Sequence, residues 1–302
     1  MLVAVTGASG LIGSALTRSL EDDGHRVLRL VRGRAAGPDQ AHWDPAAGTI
    51  DADAVAKADA VVHLAGRSIA GLRWTRAARR EILDSRVRGT GLLARTMAAL
   101  DGPRVLVCAS GVHYYGDRGD EVLTEASPSA GDLFLTEVCR RWEAAADPAR
   151  AAGLRVVHVR TGLAQTRDDG ILARQVPLFR LGLGGRLGSG RQWWSWVTLE
   201  DVVGVYRHAV EDGRASGPLN ATAPNPVTNA EHAATLARVL GRPAFLHVAA
   251  FGPRLLLGRQ LADELLFSGQ RVLPAATLAS GYAFRFPELE PALRHLLGRP
   301  AT

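Results

Sequence analysis

Whatever fold this chain adopts must begin with a strand that runs straight into a glycine turn and then a helix. Leu2 to Val5 is a short apolar strand, and Thr6-Gly7-Ala8-Ser9-Gly10-Leu11-Ile12-Gly13 follows it without a break. A helical period then sets in at Ala15, Leu16, Ser19 and Leu20. Three glycines spaced three apart let the backbone turn tightly, approach a phosphate and pack the helix close to the sheet. The helix start offers free N–H groups and a partial positive charge to an anion. The arrangement is a cradle for the pyrophosphate of a dinucleotide, built from Gly7, Ser9, Gly10, Leu11, Ile12 and Gly13.

Strands and helices alternate through the first two hundred residues. Strands are expected at Leu2–Val5, Arg26–Leu30, Ala60–Leu64, Arg104–Ala109 and Arg155–Val159, with the clearest helices at 76–99 and 133–146. Such alternation implies an α/β fold, a doubly wound parallel sheet of Rossmann type, with ligands in the crevice beyond the carboxyl ends of the strands. After Pro224 the pattern changes to proline-rich turns and short helices. The expected division is a dinucleotide-binding domain, 1–165 plus 197–222, and a smaller, mostly C-terminal substrate domain, 166–196 plus 223–302.

Composition narrows the function classes. Two cysteines, Cys108 and Cys139, are too few for a disulfide framework, and no apolar run reaches membrane-spanning length. No signal peptide precedes the first strand, so a cytoplasmic protein without membrane contact is expected. The net charge of +6 comes from scattered arginines, with Lys57 the only lysine. No basic stripe interleaved with aromatics is present, so nucleic acid is not an expected partner. At the end of the second strand, an acid would accept from a ribose 2′-hydroxyl, whereas an arginine would pair with a 2′-phosphate. Here the chain reads Val31-Arg32-Gly33-Arg34. Arg32 therefore points to NADP as the cofactor, the alternative being that both arginines are solvated loop charges.

The glycine fingerprint resembles that of the extended short-chain dehydrogenases/reductases, which include the nucleotide-sugar epimerases and dehydratases. So do Asp59-Ala60-Val61-Val62-His63-Leu64-Ala65-Gly66, Arg86-Val87-Arg88-Gly89-Thr90, Ser110 with Tyr115-Gly116, and Gln192 to Val202. A narrower resemblance, to the epimerase-family proteins, covers the whole chain. It rests on Arg73-Trp74-Thr75, Glu137-Val138-Cys139-Arg140, Trp142-Glu143, Gly182-Leu183-Gly184-Gly185, the stretch Asn220 to Asn229, and Gly269-Gln270-Arg271-Val272. The resemblance implies that Leu64, Ala65, Gly66, Glu81, Arg86 and Arg160 border the cofactor and that the tail is a C-terminal domain of undefined function. It also implies a possible homodimer through two helices, one of them 133–146.

The superfamily usually works with Asn, Ser, Tyr and Lys. None of the four tyrosines here lies four residues before a lysine, so a Tyr-x-x-x-Lys pair is excluded. Aligning on Glu143 puts Leu135 and Cys139 at those two positions, and aligning on Tyr115-Gly116 puts Thr136 and Arg140 there. The first alignment points the replaced positions inward, with Cys139 a small buried hydrophobe. Arg86 replaces the asparagine, and as a buried cation it needs an anion, either the cofactor phosphates or Glu81. Ser110 stays at its strand end, with Tyr114 or Tyr115 the expected proton donor, Tyr114 the favoured of the two, and His113 nearby. Trp194 stands where sugar-nucleotide enzymes place a diphosphate-gripping arginine. Trp193, Trp194 and Trp196 suit stacking on a flat or apolar ligand, the alternative being that two of them are packing residues.

Two functions remain open. One is an NADP-dependent oxidoreductase or epimerase of atypical mechanism, acting on an unknown small substrate through Ser110 and Tyr114. The other is a non-catalytic NADP(H)-binding sensor or assembly protein.

Overall fold

The computed structural model describes residues 1–69, 73–244 and 246–300. Its centre is an eight-stranded sheet. In chain order the strands are β1 (Leu2–Thr6), β2 (Arg26–Val31), β3 (Gln40–Asp44), β4 (Thr49–Ile50), β5 (Ala60–His63) and β6 (Val105–Gly111), followed by Arg155–Thr161 and Gly217–Ala221. Across the sheet the order is Gly217–Ala221, Arg155–Thr161, β6, β5, β1, β2, β3, β4, parallel throughout except for the β3–β4 hairpin at one edge. The five expected strands are all present, within a residue or two of their expected ends. The β3–β4 hairpin and the edge strand Gly217–Ala221 are additions.

The central strands are buried on both faces, which is why β5 reads as a continuous apolar run. Four helices place the site: α1 (Leu11–Asp22), α2 (Ala52–Ala56), α3 (Arg76–Ala98) and α4 (Phe134–Ala144). One face of the sheet packs Val3, Val5 and Val62 against Leu16 and Leu20 of α1 and Val202 and Tyr206 of the helix Leu199–Glu211. The other packs Ala4, Val61 and Leu106 against Leu93 and Met97 of α3. A third core gathers Leu172, Phe179, Trp196, Leu236 and Leu293, which lie between Gly170 and Leu296 in sequence.

Two buried carboxylates fasten the C-terminal segment to this sheet through backbone donors. Glu125 accepts from the N–H of Asn220 at 2.9 Å, of Ala276 at 2.9 Å and of Thr277 at 3.2 Å. Asp201 accepts from the N–H of Arg285 at 2.7 Å and of Phe286 at 3.1 Å, and from the Tyr282 hydroxyl at 3.1 Å. A carboxylate buried without a cation is tolerated when its lone pairs are filled in this way. Among the described residues, no helix is long and apolar enough to cross a membrane.

Candidate functional site

The loop between β1 and α1 is shaped by what a side chain would meet. Gly7 has φ +69°, and a Cβ there would sit 2.8 Å from the Ala65 nitrogen. At Gly13 a Cβ would run into the Gly7 carbonyl oxygen. Two turns of backbone thus pass at contact distance, with Leu64-Ala65 beside them. Gly10 caps α1 with no side-chain hydrogen bond, and the first turn holds no acid. Its N–H groups, which have no intrahelical partner, therefore face outward. Ser9, Gly10 and Leu11 are exposed, Ile12 is half-buried and Gly13 is buried. Gly13→Ala should cost about 1–3 kcal/mol, because the close backbone crossing must open. A thermal shift of less than a degree would show that the crossing is slack.

The strand ends of β6 and its neighbours carry a continuous polar network. The Ser110 hydroxyl donates to Glu143 Oε1 at 2.7 Å. Arg160 grips the same carboxylate with two bonds, Nε to Oε1 at 2.9 Å and Nη2 to Oε2 at 2.8 Å. Its Nη1 donates to the Tyr115 hydroxyl at 3.0 Å, and that hydroxyl donates to Asn220 Oδ1 at 2.7 Å. Ser110, Glu143, Arg160, Tyr115 and Asn220 are all buried. Burial works against the Arg160 charge, and the hydrogen bonds and charge of Glu143 outweigh it, raising its pKa. Burial pushes the Tyr115 phenol up to about 12, so it stays protonated. Tyr114 lies with its ring face 3.5 Å from the Arg160 guanidinium carbon, a cation–π contact that fixes the ring. Its hydroxyl has no hydrogen bond within the described residues.

The structure brings Ser110 and Tyr114 together at these strand ends, as the sequence implies. It places the other candidates less uniformly. Cys139 lies inward beside Gly111, and burial pushes its thiol up to about 12, so it is an unreactive hydrophobe. Arg140 is on the surface, paired with Glu137 at 2.9 Å. Arg86 is buried, as expected, but Glu81 is not its partner. Glu81 is exposed and pairs with Arg67 at 2.5 Å, because it sits five residues along α3 and faces away. Arg86 donates instead to the carbonyls of Arg67 at 2.9 Å and Ile82 at 3.1 Å, and stacks on Trp142 at 4.8 Å.

Of the two expectations for the tryptophans, the structure follows the one in which two of the three are packing residues. Trp194 and Trp196 are core residues at 4 % and 0 % exposure, the first edge-on to His232 and the second donating to the Asn225 carbonyl at 2.9 Å. Neither can stack on a ligand. Trp193 is half-buried, but it is engaged by Asp120 at 2.7 Å and by the Arg271 guanidinium at 4.4 Å. Three tryptophans within four residues suit a ligand platform and packing alike, and the interior takes two of them, Trp196 in the third core. Arg32 and Arg34 are exposed at the end of β2, and neither side chain has a partner within the described residues. Sequence reasoning missed the roles of Glu143 and Asn220. Glu143 carries one signal, its place one turn after Cys139 on the inward face of α4.

Comparison with known proteins agrees with this architecture. The NAD dependent epimerase/dehydratase family matches residues 3–221, and a domain of unknown function matches residues 248–296. Epimerase family protein MT2273 of Mycobacterium tuberculosis is 43% identical over 299 residues, 99% of this chain and 98% of that protein. The crystal structure of human epimerase family protein SDR39U1 (isoform 2) with NADPH superposes with a TM-score of 0.88 at 37% identity, covering 99% of both chains. A UDP-glucose 4-epimerase from Thermotoga maritima shares the fold, at TM-score 0.75 and 16% identity. With its glycine loop, its parallel sheet and both matched segments in place, this chain belongs to the NAD dependent epimerase/dehydratase family.

Proposed function

We propose that this protein binds NADP(H) along the loop Gly7–Gly13 and uses it in an oxidoreductase or epimerase reaction on a small substrate at Ser110 and Tyr114. The fit to a dinucleotide rests on the crossing of Gly7 and Gly13, which leaves no room for a side chain, and on the uncapped start of α1. Leu64, Ala65 and Gly66 flank the loop, and the partnerless Arg32 is the residue that would meet a 2′-phosphate. The NADPH of the human relative supports the same choice.

The observation that carries the catalytic part is the network ending at Ser110. Because its hydrogen is given to Glu143, the Ser110 oxygen presents only lone pairs and accepts from a substrate hydroxyl. A proton arriving there has a path to the Glu143 carboxylate as the serine proton moves on. Tyr114, oriented by Arg160 and with its own hydroxyl uncommitted, is the group able to donate or receive the second hydrogen bond. The nicotinamide, when bound, supplies or takes up the hydride. Arg160 and Asn220 keep Tyr115 in place and touch no substrate.

A second reading is a cofactor-binding sensor or assembly protein without turnover. It is favoured by Lys57, the only lysine, standing at the end of α2 and not on α4. Titration of NADPH and NADH by fluorescence should show NADPH binding at least about tenfold tighter, a difference of about 1.4 kcal/mol. The double substitution Arg32→Ala/Arg34→Ala should erase it, and equal affinities in the wild type would reject the NADP assignment. Turnover is then sought with a panel of sugar nucleotides and small carbonyls. Ser110→Ala and Tyr114→Phe should each lower the rate by about 100-fold, the lower range of acid–base catalysis. Unchanged rates in both would remove these residues from the mechanism, and tight NADPH binding with no oxidation by any substrate would favour the sensor.

A further inference from the structure

The N-terminus of α4 has no cap of its own. Leu133 precedes it with an apolar side chain, and the one acid of its first turn, Glu137, is engaged by Arg140 and Arg141. The first N–H groups of a helix lack intrahelical partners and must find others. Two of them are met from the C-terminal segment. Glu264 Oε1 accepts from the Phe134 N–H at 3.1 Å, and Oε2 from the Leu135 N–H at 2.9 Å. Gln260 Nε2 supplies a third donor at 3.0 Å. Glu264 is 4 % exposed and has no cationic partner among the described residues, so these donors and the positive end of α4 are what compensate its burial.

That helix end is tied to the turn that carries Tyr114. Thr136, in the first turn of α4, donates its hydroxyl to the His113 carbonyl at 2.8 Å. His113 and Tyr114 belong to the single turn Val112–Tyr115. Burial pushes the His113 ring down to about 4, and the Glu264 backbone opposes that shift. One residue of the C-terminal segment therefore holds the start of α4 directly and reaches the Tyr114 turn through Thr136. The segment around it is also anchored to α3 and to the residues just before it. Arg73 Nη2 donates to the Leu255 carbonyl at 2.7 Å, and Arg79 Nη1 to Gln260 Oε1 at 3.2 Å.

We propose that Glu264 is a positioning residue for the strand-end site, and that the segment matched as a domain of unknown function serves to set the start of α4 and, through Thr136 and His113, the Tyr114 turn. The role given to Tyr114 rests on the function proposed above, whereas the clamp itself does not. Hydrogen exchange of the full chain, read peptide by peptide, separates the two. In Glu264→Ala, amides of 112–116 and 134–137 should exchange at least about tenfold faster, with 200–211 within about twofold of wild type, as local opening requires. Glu264→Gln keeps one acceptor oxygen and should fall between. NADPH affinity should stay within about twofold, because the glycine loop lies on β1, while any turnover should lose kcat with little change in the KM for NADPH. Unchanged exchange at 134–137, or equal acceleration in all three regions, would overturn the proposal. Wild-type protein that binds NADPH without turnover would reject the enzymatic reading alone, leaving the exchange result to decide the clamp.

Discussion

Between pH 6.5 and about 4 this protein should lose stability steeply. Four histidines are depressed by burial: His63, His113, His158 and His232. Burial, as the main cause, holds their pKa values down, at about 3 for His63 and about 4 for the other three. The unfolded chain binds protons on these residues once the pH falls below 6.5, while the folded chain does not. Stability contributed by keeping them neutral is therefore intact at pH 7 and drains away as the pH falls toward the folded values. Each histidine contributes a slope of about 1.4 kcal/mol per pH unit, and the four together roughly 5 kcal/mol per unit. Against a domain stability of about 5–15 kcal/mol, unfolding is expected near pH 5. The carboxylates with lowered values, Glu137, Asp212 and Glu290, are held down by arginine partners and add their loss only below about 4.5. Urea midpoints at pH 7, 6 and 5.5 measure the slope. His232→Phe, which keeps an aromatic ring edge-on to Trp194, should flatten it by about a quarter. Midpoints that do not move between pH 7 and 5 would refute the account.

The second large effect is expected at Arg160. Arg160→Leu removes two bonds from Glu143, one from Tyr115 and the guanidinium beneath Tyr114. It leaves a buried carboxylate without its counter-charge, and breaking such a pair costs about 3–5 kcal/mol. Glu143→Leu alone should cost a similar amount, since it leaves the guanidinium stranded and Ser110 without its acceptor. The double variant removes both charges, and its loss should be well below the sum of the two. A urea midpoint that falls at unchanged m-value reports the effect. Strictly additive losses would show that the two side chains do not act as a pair. Glu143→Leu and the double variant also release the Ser110 hydroxyl, whereas Arg160→Leu leaves it bonded to Glu143.

Local sequence was enough to read the glycine loop, the five central strands and α3 and α4, because each announces itself through spacing within a dozen residues. Ser110 and Tyr114 were legible for the same reason, as residues at the end of a recognisable strand. The network that gives them their character was not. Glu143, Arg160 and Asn220 come from three separate elements, and only the parallel order of the sheet brings them together. Arg86 was rightly placed as buried, but its partners proved to be carbonyl groups, and a sequence cannot show where a carbonyl points. The tryptophan segment stayed open between two readings because a run of large apolar residues looks alike whether it lines a ligand or fills a core.

The carboxylate clamps also bear on how the molecule is made. Glu125 waits for residues 276 and 277, and Asp201 for residues 282 to 286. While the chain emerges from the ribosome, β1 to β6 can pair in order, yet neither acid has its full set of donors until those late residues have been synthesised. The interval between a paired sheet and a closed one is set by the pace of translation. During it, the edge strand Gly217–Ala221 lacks the cover that its finished neighbours provide. A pause between residues 221 and 276 would lengthen that exposure, and it is there that a nascent chain of this protein is most open to a chaperone or to a second copy of itself.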